Sequence, residues 1–415
     1  MKQLGTTIQP RKQKPAKHQE RVRILHIITN LAVGGAQDNM LMTLEKLNRQ
    51  KYEAGLITSS EGEWLPRARG IKNLHLIFVD SFKRNINPIK DLVTLYRIYS
   101  KIKKGGYAIV QTHTSKAGVL GRVAARLAGV PIILHMHHGL NFHDYLNPVL
   151  RFIFFKLERF LSNISDKLIM VSQLNLQKAL TAGLAPPDKF VNIYNGIDFE
   201  KFDVQIDIKA KRKGIGIFGS EKIVGTVGRL CPQKAPQDLI GAIPRILNAR
   251  KDVIFLFVGD GELLPQMQSL SKKLGVDSHV KFLGNREDVP ELLHIMDVFV
   301  LTSLWEGMPR SLTEAMYCAR PVVATAVDGT PELVTNAENG ILVQPKDIEA
   351  LSQEILTLLN DTAKANQMGE AARKRVAESF AIEKMVGDIE QVYDELLQQK
   401  GLIQPRLSHE YAQNA

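Results

Sequence analysis

Short runs of apolar, often β-branched residues alternate along the chain with longer stretches whose apolar positions recur every three or four residues. The short runs predict strands and the longer stretches amphipathic helices. In the first half, strands are expected at 22–28, 56–58, 74–79, 108–112, 132–135, 168–171 and 191–194. Helices are expected between them at 38–47, 88–104, 117–128, 148–161 and 174–181. The second half restarts the rhythm with strands at 223–227, 253–258, 280–282, 298–301, 322–324 and 341–343. Such alternation favours parallel sheets covered by helices on both faces, so the expected fold is α/β: two doubly wound, Rossmann-like parallel-sheet domains.

Length agrees with this division, since 415 residues suit two domains of ordinary size. The expected boundaries are a tail at 1–20, a first domain at 21–200, a second at 201–380, and a closing helix with its tail at 381–415. A hydrophobic fraction of 44% with 23% charged residues excludes disorder for the body of the chain. The two cysteines, Cys231 and Cys318, have no metal-ligand spacing, which excludes a zinc ribbon or disulfide framework and fits a reducing compartment. The longest apolar runs are strand-sized, so no membrane span is expected. Residues 1–20 lack a signal peptide's apolar stretch and carry Arg11, Lys12, Lys14 and Lys17, as a disordered basic tail would. The expected location is cytoplasmic.

Charge is uneven. Residues 1–205 hold 30 basic and 15 acidic side chains, a balance of +15, whereas residues 206–415 hold 24 and 28, a balance of −4. A basic first half suggests an anionic partner, either nucleic acid or a membrane surface. No nucleic-acid motif supports the former. The segment 151–161 is apolar and basic; it could lie on a membrane, though a core helix with exposed ends is the plainer reading. Lys101, Lys103, Lys104, Lys116, Arg122 and Arg126 are further candidates for contact with lipid phosphate.

In open parallel sheets, ligands sit at the carboxyl ends of strands, so the turns after strands are where chemistry is expected. Gly214, Gly216 and Gly219 spell a dinucleotide fingerprint, but they precede a strand instead of following one, which argues against a nicotinamide or flavin site. After the strand at 223–227 come Gly228, Arg229 and, five residues beyond Arg229, Lys234; two cations at one strand end can neutralise one phosphate group. A solvated loop is equally compatible with that spacing. After the strand at 298–301 come Glu306, Gly307, Met308, Pro309, Arg310, Ser311 and Glu314. Pro309 suits a first helical turn, whose free N–H groups near 308–311 would face an anion. Two carboxylates beside that helix end suit hydroxyl groups; surface carboxylates near a helix start are the plainer alternative. His135 and His137 share a strand face while His138 points away, and no further metal ligand is identifiable, so no metal site is expected.

Taken together, the Gly228-Arg229…Lys234 and Glu306…Glu314 sets resemble the donor-site signature of retaining glycosyltransferase family four, with its GT-B fold of two such domains facing a cleft. The similarity runs along nearly the whole chain after the tail. It includes Gly34-Gly35-Ala36-Gln37, the segment 113–118, His138-Gly139, Asn195-Gly196-Ile197-Asp198, Gly259-Asp260-Gly261 and Gly329-Thr330-Pro331-Glu332. The segments 113–118 and 121–131 are most similar to bacterial enzymes of exopolysaccharide, capsule or O-antigen synthesis.

The resemblance implies a nucleotide-sugar donor, by family habit a UDP-sugar, and no cofactor or metal. Arg229 and Lys234 would neutralise the departing diphosphate, Glu314 would hold the ribose, and Glu306 would hold a sugar hydroxyl. His138 would point at the transferred sugar, and Gly34 and Gly35 would admit the phosphates. Backbone around 307–311 and at Gly329 and Thr330 would add contacts, and the base would meet the turn at Gly284, Asn285 and Arg286. The acceptor implied is a polyprenyl-diphosphate-linked glycan, which puts the protein at the inner face of the plasma membrane. A soluble sugar acceptor, a nucleotide-sugar epimerase and a non-catalytic nucleotide-sugar sensor are the alternatives. Ala235, Pro309, Arg310 and Gln37 depart from the commonest family pattern, and Arg310 would bear on which sugar is accepted.

Overall fold

The computed structural model describes residues 21–404; the basic stretch 1–20 and residues 405–415 lie outside the described residues. The first half builds a sheet from β1 (Val22–Ile27), β2 (Tyr52–Thr58), β3 (His75–Phe78), β4 (Ile109–His113), β5 (Ile132–His137), β6 (Lys167–Met170) and β7 (Phe190–Asn192). Its helices are α1 (Gly35–Lys46), α2 (Leu65–Gly70), α3 (Pro88–Gly105), α4 (Ser115–Ala128), α5 (Pro148–Asn163) and α6 (Gln173–Thr181). The second sheet holds β8 (Lys222–Val227), β9 (Val253–Val258), β10 (Val280–Gly284), β11 (Val298–Leu301), β12 (Val322–Thr325) and β13 (Ile341–Val343). Around it lie α7 (Ile208–Gly214), α8 (Pro236–Ala249), α9 (Leu264–Lys273), α10 (Val289–His294), α11 (Arg310–Tyr317), α12 (Thr330–Leu333), α13 (Ile348–Asn360) and α14 (Thr362–Ser379). A last helix, α15 (Ile382–Gln399), packs on α1.

All strand pairings are parallel, in the orders β3-β2-β1-β4-β5-β6-β7 and β10-β9-β8-β11-β12-β13. Each strand expected from the sequence is present. β2 begins four residues before its expected start, because Tyr52 and Glu53 pair with Val22 and Arg23 although Glu53 and Gly55 interrupt the apolar pattern. In β1 both faces are buried: Ile24 and His26 point to one side, Leu25 and Ile27 to the other. That is why the strand reads as a nearly continuous apolar run. Local chemistry sets the helix ends. In α3, Asn87 accepts from the Lys90 N–H, Pro88 opens the helix, and Gly106 closes it in the left-handed region at φ 60°. The glycine fingerprint at 214–219 lies between α7 and β8, so it neither follows a strand nor opens a helix.

Candidate active site

Each sheet reverses its strand order once, between β1 and β4 and between β8 and β11. Ligands of open α/β sheets bind at the carboxyl ends of strands at such points. Gly34 and Thr114 follow the first pair, Gly228 and the segment 302–307 the second. Thr114 sits at φ 62°, a strained conformation for a β-branched residue and one that concentrates at functional sites.

The second of these groups presses on the turn that follows β5. A Cβ on Gly307 would lie 2.2 Å from His138 O, and one on Gly329 2.2 Å from Gly307 O, so only glycine permits this backbone approach. Asn175 donates to Glu306 O at 3.1 Å. Glu332, from the second half, accepts from Ser172 Oγ and from the Gln173 and Leu174 N–H groups at the start of α6. Asn195 accepts from Asn39 at 2.7 Å and donates to Met308 O at 3.3 Å. Trp305 stacks on His143 with centroids 4.0 Å apart.

Glu306 is buried at 6% exposure, and its Oε1 receives both the Lys234 ammonium and the Ser303 hydroxyl, the latter at 2.6 Å. Its N–H donates to Asp328, which also pairs with Lys178. A carboxylate so engaged is a weak nucleophile but a well-held hydrogen-bond acceptor. Arg229 is exposed, and no carboxylate lies within ion-pair distance of it among the described residues. Lys234 folds back along the Gly228 turn to Glu306.

The helix carrying Glu314 begins at Arg310; Pro309 occupies the flanking position, and no side chain caps the start of α11. The N–H groups of Arg310 and Ser311 therefore have no side-chain acceptor from the start of the helix. Arg310 bonds Glu314 Oε1 at 2.7 Å and reaches across to Asp38 on α1. Asp38 also holds Arg67. Burial would lower the Arg310 guanidinium, but Asp38 and Glu314 outweigh it and raise it. Burial raises the Glu314 carboxyl even with Arg310 beside it. Glu314 is thus held by a neighbour in place of open solvent. Gly35 faces open space, whereas the position of a Cβ on Gly34 is taken by the Gln37 side chain. The N–H groups of Gly329 and Thr330 donate to Gly307 O and Val327 O, so neither is free for a ligand. Asn285 and Arg286 are exposed at the end of β10, and Arg286 forms a double hydrogen bond with Asp288.

His138 stands against His113, with Nε2 3.2 Å from His113 Nδ1. Burial lowers its imidazole to about 3, so it is neutral at physiological pH. His135 and His137 do gain a third potential ligand that the sequence did not reveal, Glu158 on α5, with ligand atoms within 4.8 Å of one another. Both Glu158 oxygens, however, accept from the Arg122 fork at 2.7 and 2.8 Å, and a buried guanidinium there opposes a cation. Burial would raise the Glu158 carboxyl, but His137 and Arg122 hold it well below its usual range. The cluster is a buried ion pair roofed by imidazoles. Arg122, expected to meet lipid phosphate, is fully buried in this pair, and Lys116 is committed to Asp91.

The helix at 148–163 is not a core helix. Only Glu158, Leu161 and Ser162 of α5 are buried, while Phe152 and Phe160 are each 60% exposed beside Arg151, Lys156 and Arg159. On the same side of the sheet, α3 and its approach expose Ile86, Ile89, Leu92 and Tyr96 among Lys90, Arg97, Lys101 and Lys104. Sequence reasoning missed the α3 face, and it missed Ser303, Asp328, Asn175 and Trp305. The α3 apolar spacing was visible, and Ser303 lies only three residues before its partner Glu306; Asp328, Asn175 and Trp305 gave no signal, because their partners are distant in sequence.

Comparison with known proteins matches residues 33–201 to the model described as Glycosyltransferase Family 4 and residues 207–375 to Glycosyl transferases group 1. The chain is 32% identical to the UDP-Gal:alpha-D-GlcNAc-diphosphoundecaprenol alpha-1,3-galactosyltransferase of Escherichia coli, over 92% of this chain and 98% of that protein. It is 26% identical to the capsular polysaccharide biosynthesis glycosyltransferase CapM of Staphylococcus aureus, over 91% of this chain and 98% of that one. Among solved structures, Anabaena HepE in complex with UDP-glucose superposes with a TM-score of 0.79 at 23% identity, covering 90% of this chain and 100% of that chain.

Proposed function

Because the chain belongs to the family-four glycosyltransferases, we propose that it moves a sugar from a UDP-sugar to a lipid-linked glycan at a membrane surface, in bacterial surface polysaccharide synthesis, with retention and without a metal. The observation that carries the reading is the Lys234–Glu306–Ser303 cluster at the second switch point, whose Gly307 backbone packs against His138 at the end of β5. The E. coli relative, which the chain matches over nearly its whole length, acts on a diphosphoundecaprenol-linked sugar with UDP-Gal, and this supports both substrate classes. Residues 21–200 serve as the acceptor domain, 201–380 as the donor domain, and within 381–415 the helix α15 returns to the first domain, ahead of a tail.

Arg229 and Lys234 take the charge that grows on the leaving diphosphate, the work a metal would otherwise do. The uncapped N–H groups of Arg310 and Ser311 at the start of α11 add to it. Glu306 and His138 hold hydroxyls of the transferred sugar, and Glu314, shared with Arg310, holds the ribose. The exposed turn at 285–286 meets the base. With Glu306 engaged by two donors, no carboxylate is placed as a nucleophile, so attack comes from the face the diphosphate leaves. The anomeric carbon–phosphate oxygen bond breaks while the acceptor oxygen bonds to the same face. The acceptor's proton passes to the departing phosphate oxygen.

The exposed apolar and basic faces of α3 and α5 support docking on an anionic leaflet, where each nearby Lys or Arg contributes about 1 kcal/mol. No helix among the described residues is long and apolar enough to cross a membrane. The test is nucleoside diphosphate release across a panel of nucleotide sugars in EDTA, with and without a GlcNAc-diphosphopolyprenol acceptor. Release from a UDP-sugar that needs the acceptor and ignores EDTA is expected. Isomerised donor without acceptor, or equal transfer to a soluble sugar, would overturn the reading.

A further inference from the structure

Four side chains with no part in the proposed chemistry lie end to end behind His138. His138 Nε2 is 3.2 Å from His113 Nδ1, and His113 Nε2 is 3.0 Å from His26 Nδ1. His26 Nε2 is 3.3 Å from the Tyr393 hydroxyl, which donates to Gln111 Oε1. His26 and Gln111 are paired across β1 and β4, while Tyr393 comes from α15, near the other end of the chain. The His26 and His113 rings lie within 15° of parallel, and His113 and His138 within 25°. His26, His113, Gln111 and Tyr393 are all at most 1% exposed, so bulk water does not interrupt the chain.

A neutral imidazole has one N–H and one bare nitrogen. Gln111 directs its amide nitrogen toward Met136 Sδ at 3.9 Å and its oxygen toward Tyr393. The Tyr393 proton is therefore spent on Gln111, and its oxygen can only accept. His26 must then carry its proton on Nε2, leaving Nδ1 to accept from His113 Nε2–H. His113 Nδ1 in turn accepts from His138 Nε2–H. One orientation at Tyr393 fixes three tautomers. His138 Nδ1 is left bare, and it is buried with no partner among the described residues.

We propose that Gln111, Tyr393, His26 and His113 are positioning residues that lock His138 as its Nε2–H tautomer, so that Nδ1 accepts a hydrogen bond from a hydroxyl of the donor sugar. The inference rests on the assignment of His138 to the transferred sugar. A protonated imidazole would set donor against donor in the chain; burial keeps the three rings neutral by lowering His26 and His138 to about 3 and His113 well below its ordinary value. The relay also ties the sugar pocket to α15.

The experiment labels histidine with 15N and reads each ring's tautomer by long-range proton–nitrogen correlation in donor-free protein, with His138→Gln used to assign its signal. Wild type should show His26, His113 and His138 as single Nε2–H tautomers. Tyr393→Phe keeps the ring but removes the anchor, and His138 should become a mixture. Gln111→Met should turn the Tyr393 proton onto His26 and reverse all three rings, leaving Nδ1–H at His138. Only the competent tautomer binds donor well, so with UDP-galactose and UDP-glucose as probes the donor KM should rise about fivefold in Tyr393→Phe and further in Gln111→Met, with kcat at saturation preserved. Mixed tautomers in wild type, unchanged tautomers in both variants, or a loss of kcat with unchanged KM would overturn the proposal. If wild type turns over no nucleotide sugar of the panel with the lipid-linked acceptor present, the sugar-transfer reading fails, and the tautomer spectra still decide the relay.

Discussion

Lowering the pH should destabilise this protein well above the range where carboxylates titrate. His26, His113 and His135 are 0%, 0% and 1% exposed, and burial lowers each of these imidazoles and that of His138, His26 and His138 to about 3. In the unfolded chain each returns to an ordinary value of 6.5. Between those limits the unfolded state binds protons that the folded state refuses, so stability is complete above about pH 7 and is lost as pH falls through 6.5. At pH 5.5 each histidine contributes a loss of about 1.4 kcal/mol, and the four together about 5.5 kcal/mol. That is a large share of the 5–15 kcal/mol typical of a folded domain. Glu158 and Asp38 are held below their ordinary range by their cationic neighbours, so neither titrates between pH 7.5 and 5.5. Urea titrations followed by circular dichroism at pH 7.5, 6.5 and 5.5, at constant ionic strength, measure the loss directly. His135→Gln should remove about a quarter of it. A total loss under about 1 kcal/mol would refute the reasoning, since it would mean the rings accept protons within the fold.

Other consequences are equally direct. Lys234→Ala should lower turnover about 100- to 1000-fold while the fold persists, because the ammonium is needed on the leaving diphosphate; turnover within threefold of wild type would remove Lys234 from the site. Glu158→Ala leaves Arg122 buried and unpaired and should cost about 3–5 kcal/mol in urea titrations, while Arg122→Met with Glu158→Leu should recover most of it. Because the Glu158 carboxyl is held low, the pair's contribution is present above its ordinary value of 4.5 and disappears as pH falls below it, so the two profiles should converge in acid. Phe152→Glu with Phe160→Glu should weaken flotation with anionic vesicles about tenfold or more. Undiminished flotation would move the membrane contact away from α5.

Much of the fold and the placing of the turns after strands were legible in the sequence because they depend on near neighbours. Apolar alternation marked the strands, the three-to-four spacing marked the helices, and Gly, Pro and charged residues at strand ends marked the turns that meet at the two switch points. Strand order was not written there, and it decided the rest. It set β1 beside β4, bringing His26 and His113 together although they are 87 residues apart, and α15 then added Tyr393 from 367 residues away. It turned Arg122 inward onto Glu158, where the sequence suggested a lipid contact, and sent Arg310 across to Asp38. It left the apolar side of α5 uncovered, where periodicity alone could not distinguish a buried stripe from an exposed one. Local pattern fixes which face of an element is apolar; only the packing of distant elements fixes what that face, or a buried charge, finally meets.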